Sequence, residues 1–226
     1  MIRFLLLLLI IFHPLSANAE DKFLDIQEIK SQSGLTAWLV EDRTLPIIAM
    51  EFSFLGAGTK NDPVDKQGRA KLLSNMLDEG AGELDSTTFQ KQLSDNSISL
   101  SFSANRDHFR GQVKTLSRYK ENAFNLLKLS LNEPRFDEEP LERMKKANIA
   151  RIKSSLTDPN WIAARLQNDL IYQDHPYALN SGGTISTLET ITTNGLRDFK
   201  NTYLTKDRLV IGIMGDIGAN EVKASL

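Results

Sequence analysis

Hairpin-like strand signals, separated by helices but lacking the regular crossovers that a parallel sheet requires, most limit the folds open to this chain. Residues 26–30 and 35–40 flank a Ser-Gly turn and read as a hairpin. Residues 47–55, IIAMEFSFL, are β-branched and aromatic and read as a buried strand, broken by Gly56-Ala57-Gly58 and Asn61-Asp62-Pro63. A helix is predicted over 67–78 and a shorter one through Leu93, capped by Ser86-Thr87-Thr88. Ile98, Leu100 and Phe102 alternate with serines as a half-buried strand does, and 109–116 reads as its partner after a turn. Helices are predicted over 118–131, over 138–155 behind an Asp137 cap, from Asp158-Pro159 to about Tyr172, and over 193–203. A last buried strand, 209–214, precedes a helix beginning near Gly218. This order predicts an α+β fold: a mainly antiparallel sheet with helices packed on one face.

The first residues serve a different purpose. Met1-Ile2-Arg3 is a short basic segment, residues 4–12 are an apolar run too short to span a bilayer easily, and Ala17-Asn18-Ala19 is a small-residue cleavage site. Residues 1–19 are therefore expected to be a signal peptide cleaved after Ala19, leaving 20–226 as one domain, periplasmic or secreted, with no membrane attachment after cleavage. The absence of cysteine matters in this context, because an exported chain without disulfides must be held by its core alone. The formal net charge of −2 offers no basic excess for nucleic acid.

The residues display no evident catalytic constellation. Of the three histidines, His13 leaves with the signal peptide, and His108 and His175 lie far apart in turn-like sequence. A catalytic zinc site takes three protein ligands, which this chain does not place together. There is no G-x-S-x-G elbow, and Gly182-Gly183 lacks the pattern of a phosphate loop and reads as a turn. Arg143, Lys145, Lys146, Arg151 and Lys153 read as a solvated helix face. Within 67–78, Lys71, Ser74, Asn75 and Asp78 recur on one helical stripe, read as the wet side of a helix backed by Ala70, Leu73, Met76 and Leu77.

Taken in order, GLTAWLVEDRTLPIIAMEFSFLGAGTKNDP, KQGRAKLLSNML, LERMKKANIARIKSSLTDPNWIAAR, HPYALNSGGT and RLVIGIMGDI resemble the N-terminal half-unit of the pitrilysin/insulinase-type metallopeptidases, which include the mitochondrial processing peptidases. The resemblance covers about residues 24–220. Active members carry H-x-x-E-H on the first helix, two histidines for zinc and a glutamate that activates water. Here Lys71, Ser74 and Asn75 stand in those three places, and the third ligand, a glutamate on the long helix, falls near Asn148 or Ile149. The zinc expected in the family has lost its ligands, so no cofactor, metal ligand or catalytic residue is assigned.

Zinc-less members of the family partner an active chain, and paired half-units enclose a chamber that holds an extended peptide. The resemblance thus implies a non-catalytic protein that pairs with a zinc-bearing peptidase subunit or a second half-unit and helps hold peptide substrate. Peptide would add to a sheet edge through backbone hydrogen bonds, on the strand formed by Ser99, Leu100, Ser101, Phe102, Ser103 and Ala104, with an ordinary core hairpin as the other reading. A divergent zinc metallopeptidase with relocated ligands, and a stand-alone peptide-binding module or truncated remnant, remain as alternative functions. Family chains carry two half-units; the second is expected to be absent here.

Overall fold

The computed structural model describes residues 24–226, so the segment expected to be a signal peptide lies outside the described residues. The hairpin forms as strand β1 (Gln27–Lys30) and strand β2 (Thr36–Glu41), joined through Gly34 at φ 82°. Strand β3 (Ile47–Phe54) leads by way of short 3₁₀ turns into helix α1 (Arg69–Ser74) and then helix α2 (Ser86–Asp95). Strands β4 (Ser99–Ala104) and β5 (Phe109–Leu116) form a second hairpin. Helices α3 (Lys120–Asn132), α4 (Glu138–Ser155), α5 (Pro159–Tyr172), α6 (Ile185–Thr190) and α7 (Thr193–Tyr203) follow, then strand β6 (Leu209–Gly215) and helix α8 (Ala219–Ser225).

Among the described residues six strands make one sheet in the order β1-β2-β6-β3-β5-β4. Four of its pairings are antiparallel, and only β2–β6 is parallel. The fold is the expected α+β class. The insertion of the last strand between β2 and β3, which adjoin in sequence, is not visible in the sequence pattern, because nothing local in 209–214 distinguishes a central position from an edge. Side chains alternate across the sheet as the two-residue period demands. Leu39, Met50, Phe52, Phe54, Leu100, Phe102, Val113, Ile211 and Ile213 point into the core. Trp38, Glu51, Arg110, Gln112, Val210 and Met214 lie exposed on the opposite face. Among the described residues helices therefore cover one face and leave the other bare, which is how an antiparallel sheet with alternating sequence behaves. No helix among the described residues is long and apolar enough to cross a membrane.

Several local expectations are corrected. The first helix is shorter than 67–78: beyond Ser74 the Asn75 and Met76 amides bond to Leu72 and Leu73, three residues back, so the chain tightens into turns. Helix α2 is capped by Asp85, whose carboxylate accepts from the Thr88 amide at 2.8 Å, and not by the Ser86-Thr87-Thr88 run, which falls inside the helix. Asp137 does precede α4 but makes no side-chain cap; its carboxylate is taken by Arg135 Nε at 2.7 Å. Asp158 caps α5 as expected, accepting from the Asn160 amide at 2.9 Å. The short helix α6, closed by a Thr184/Thr187 capping box, has no counterpart in the sequence reading.

Candidate functional site

The polar residues of α1 are not on a wet face. Leu72 and Leu73 are fully buried, Ser74 is buried as well, and Lys71, Asn75 and Asp78 are half-buried. The periodicity of the stripe was real, but a polar stripe in a sequence does not say what packs over it; here α4 does. Ser74 satisfies its hydroxyl internally by donating to the Lys71 carbonyl at 2.8 Å.

The start of α1 is held from a distance. The buried Asp62 carboxylate accepts from the Gly68 and Ala70 amides, each at 3.1 Å, and so does the work of an N-cap six residues ahead of Gly68. Burial pushes its carboxyl up to about 7, against the opposing pull of these amides and of Arg69, whose Nε lies 3.7 Å away. Helix α6 and the loop before it clamp the same corner: Thr187 Oγ1 donates to the Gln67 carbonyl at 2.9 Å, and the Asn180 amide donates to Gln67 Oε1 at 3.3 Å. Gly183, at φ 81°, lets the two loops touch, since a Cβ there would stand 2.4 Å from the Gln67 carbonyl oxygen. Asp62 and Gly183 escaped the sequence reading as site supports because Asn61-Asp62-Pro63 and Ser181-Gly182-Gly183 look like ordinary turn chemistry.

Across this corner α1 meets α4. Asn148 Nδ2 donates to Asn75 Oδ1 at 3.1 Å, and Arg151 Nη1 donates to Asn148 Oδ1 at 3.2 Å. Residues 73 positions apart are thus joined in one hydrogen-bonded chain, Arg151 to Asn148 to Asn75. Of the two alternatives on α4, Asn148 is the residue that faces Asn75; Ile149 packs against the apolar core. The Lys71 ammonium is held below the usual lysine range, first by burial and then by the Arg151 charge. At the far end of the stripe, burial raises Asp78 to about 6, and the buried Glu79 pairs with Arg143 at 2.7 Å while accepting from Ser86. The basic surface expected along α4 is accordingly only partly solvated: Lys145 is buried and paired with Glu142 at 2.8 Å.

These residues fit a zinc ion poorly. Two amides, a hydroxyl and two cations are not the imidazole, thiolate and carboxylate set that zinc takes, and a protonated ammonium repels a divalent cation. The remaining histidines lie elsewhere: His108 Nδ1 accepts from the Gly56 amide, and His175 Nδ1 from the Tyr177 amide, each at 3.2 Å. Among the described residues no group of three His, Cys, Asp or Glu is placed to hold a metal ion.

Beside α1, strand β4 lies at the edge of the sheet. Leu100, Phe102 and Ala104 are buried, Phe102 meeting Phe52 edge-on at 6.2 Å, whereas Ser99 and Ser103 are exposed and Ser101 is half-buried. One side of the β4 backbone pairs with β5. The other side has no strand partner among the described residues.

A one-sided α+β half-unit, with a short buried helix crossed by a long one next to an edge strand, defines a pitrilysin-like domain. The family model described as Insulinase (Peptidase family M16) matches residues 54–183, and the chain belongs to this family. It is similar to the non-peptidase homolog YmxG of Helicobacter pylori, 27% identical over 216 residues, which are 95% of this chain and 49% of that protein. Its fold matches the crystal structure of a peptidase M16 inactive domain from Pseudomonas fluorescens with a TM-score of 0.83 and 24% identity, covering 89% of this chain and 49% of that one. It also matches pitrilysin, with a TM-score of 0.79 and 20% identity over 91% of this chain and 22% of that one. The chain spans about half the length of the curated relatives it matches.

Proposed function

We propose that this protein is a non-catalytic, periplasmic member of the insulinase family that pairs with a zinc-bearing subunit or a second half-unit and helps hold an extended peptide. The observation that carries the reading is the contact between α1 and α4, where Lys71, Ser74, Asn75 and Asn148 offer amides, a hydroxyl and an ammonium in place of the family's zinc ligands and water-activating glutamate. Names borne by its relatives, a non-peptidase homolog and an inactive domain, agree with it. The edge position of β4 supports peptide addition by backbone pairing. The bare sheet face, with Trp38, Leu55, Val210 and Met214 exposed on it, supports a partner. Export rests on the composition of residues 1–19 alone, and fractionation of expressing cells tests it.

The decisive experiment compares the purified chain with the chain co-expressed beside a zinc-bearing family member. Metal content by elemental analysis and hydrolysis of a quenched fluorescent peptide are measured for each. The expected result is no stoichiometric zinc and no cleavage by the chain alone, with co-purification and cleavage by the pair. Zinc at one equivalent together with chelator-sensitive cleavage by the chain alone overturns the reading.

A further inference from the structure

The hydrogen-bonded chain at the α1–α4 contact has a direction, and its direction leaves donors over. Arg151 donates to Asn148 Oδ1, and Asn148 Nδ2 donates to Asn75 Oδ1. Each bond fixes the next amide, so the Asn75 amino group is the free end of the relay. It has no acceptor among the described residues. The Arg151 guanidinium, exposed to solvent, uses one nitrogen on Asn148 and keeps its other N–H groups available. Lys71 stands one helical turn before Asn75, and its ammonium likewise has no acceptor among the described residues.

The charges at this place are also unbalanced. On α4, Arg143 has Glu79 and Glu139, and Lys145 has Glu142. Lys71 and Arg151 have no carboxylate within ion-pair distance among the described residues, and the perturbation of Lys71 comes from burial and from Arg151, both unfavourable to its charge. Two adjacent cations, one of them half-buried, with three sets of unused donors, are complementary to an oxyanion. The planar Arg fork together with an amide amino group matches the two oxygens of a carboxylate.

We propose that Lys71, Arg151 and Asn75, oriented through Asn148, form a binding site for a carboxylate. The carboxylate is that of an acidic side chain in a peptide or of a small free acid. In the first case the site deepens the peptide-holding reading and rests on it, giving the chamber a preference for acidic segments; in the second it stands alone. Metal plays no part in it.

The test uses the full chain in isothermal titration calorimetry with a blocked hexapeptide carrying one central glutamate and with its glutamine counterpart. Thermal unfolding in sodium acetate is measured alongside, against sodium chloride of equal ionic strength. The same measurements are made on Lys71→Met and Arg151→Met, whose folding is checked by circular dichroism. The expected result is about tenfold tighter binding of the glutamate peptide, a preference lost in both variants, as charge-assisted hydrogen bonds of ordinary strength imply. Acetate stabilisation of the wild type alone, with neither peptide binding, supports the carboxylate site and counts against the peptide-holding reading. Equal binding of the two peptides overturns the site and leaves the peptide reading standing. A glutamate preference that survives both substitutions, or the absence of both peptide binding and acetate stabilisation, also overturns the site.

Discussion

Asn148, on helix α4, and Asn75, the residue that ends helix α1, face each other amide to amide at 3.1 Å in the place where the family resemblance sets a zinc ligand against a zinc ligand. Asn148 is buried, so each half of this bond depends on the other. Asn148→Ala leaves the Asn75 carbonyl and the Arg151 guanidinium without their partner and is expected to cost about 1–2 kcal/mol. In a double-mutant cycle with Asn75→Ala, measured by urea unfolding, the pair should show a coupling on the order of 1 kcal/mol. Simple additivity would show that the amide bond contributes nothing.

The same geometry makes Asn148, and not Ile149, the position from which a ligand would reach Asn75. Lys71→His and Asn75→His combined with Asn148→Glu should create a chain that takes up zinc in calorimetric titration, because all three side chains then converge at one contact. The corresponding triple variant with Ile149→Glu should not, and should lose stability, since that carboxylate would be driven toward the apolar core. Equal zinc uptake by both variants would contradict the placement.

Gly183 and Gly182 are neighbours with opposite expectations. Gly183→Ala puts a Cβ against the Gln67 carbonyl oxygen at a left-handed backbone position and should destabilise by about 2–4 kcal/mol. Gly182→Ala meets only the flexible Asn180 side chain, at 3.7 Å, and should change stability by less than about 1 kcal/mol. Thermal unfolding of the two variants settles the contrast.

Asp62 gives a pH signature of known sign. Its carboxyl titrates near 7 in the folded chain because it is buried, and near the ordinary value of about 3.9 when unfolded. Between these values the folded state holds the extra proton, so the Asp62 contribution to stability is complete below about pH 4 and is lost as pH rises toward 7. Groups held low, such as Asp85 and Glu221, act in the opposite sense. The informative quantity is therefore the difference between the wild type and Asp62→Asn. Denaturant unfolding from pH 4 to 8 should show that the variant loses less stability over this range, by up to about 1.4 kcal/mol per pH unit. Parallel curves would mean that Asp62 ionises normally.

If peptide adds to the sheet, β4 should report it. Hydrogen exchange of the amides in Ser99–Ala104 is expected to slow when an extended peptide binds, with the opposite edge strand, β1, unaffected. Protection confined to other elements would move the peptide elsewhere.

Local signals recovered most of the secondary structure, because they are written residue by residue: the serine alternation of 99–103, the Asp158-Pro159 start of α5, the apolar run that becomes β6. They failed where a distant group supplied the decisive contact. The α1 stripe looked solvated, since sequence periodicity separates polar from apolar positions without revealing that α4 would be laid over the polar side. Asp62 looked like a turn residue, since only the folded loop carries its carboxylate back to the Gly68 and Ala70 amides.

By itself the sequence determined the α+β class, the resemblance to the insulinase family and, through that resemblance, the placing of Lys71, Ser74 and Asn75 where active members carry two zinc histidines and the glutamate that activates water, all of which depend on residue type and order. Tertiary structure alone decided that Asn148 meets Asn75 and Ile149 does not, that Lys71 and Arg151 have no acid within ion-pair distance among the described residues, and that β4 is an edge of the described sheet. Those outcomes depend on how a helix is rotated about its axis and where a strand enters the sheet. Such choices are made by packing of the whole core, not by any segment that could announce them in advance.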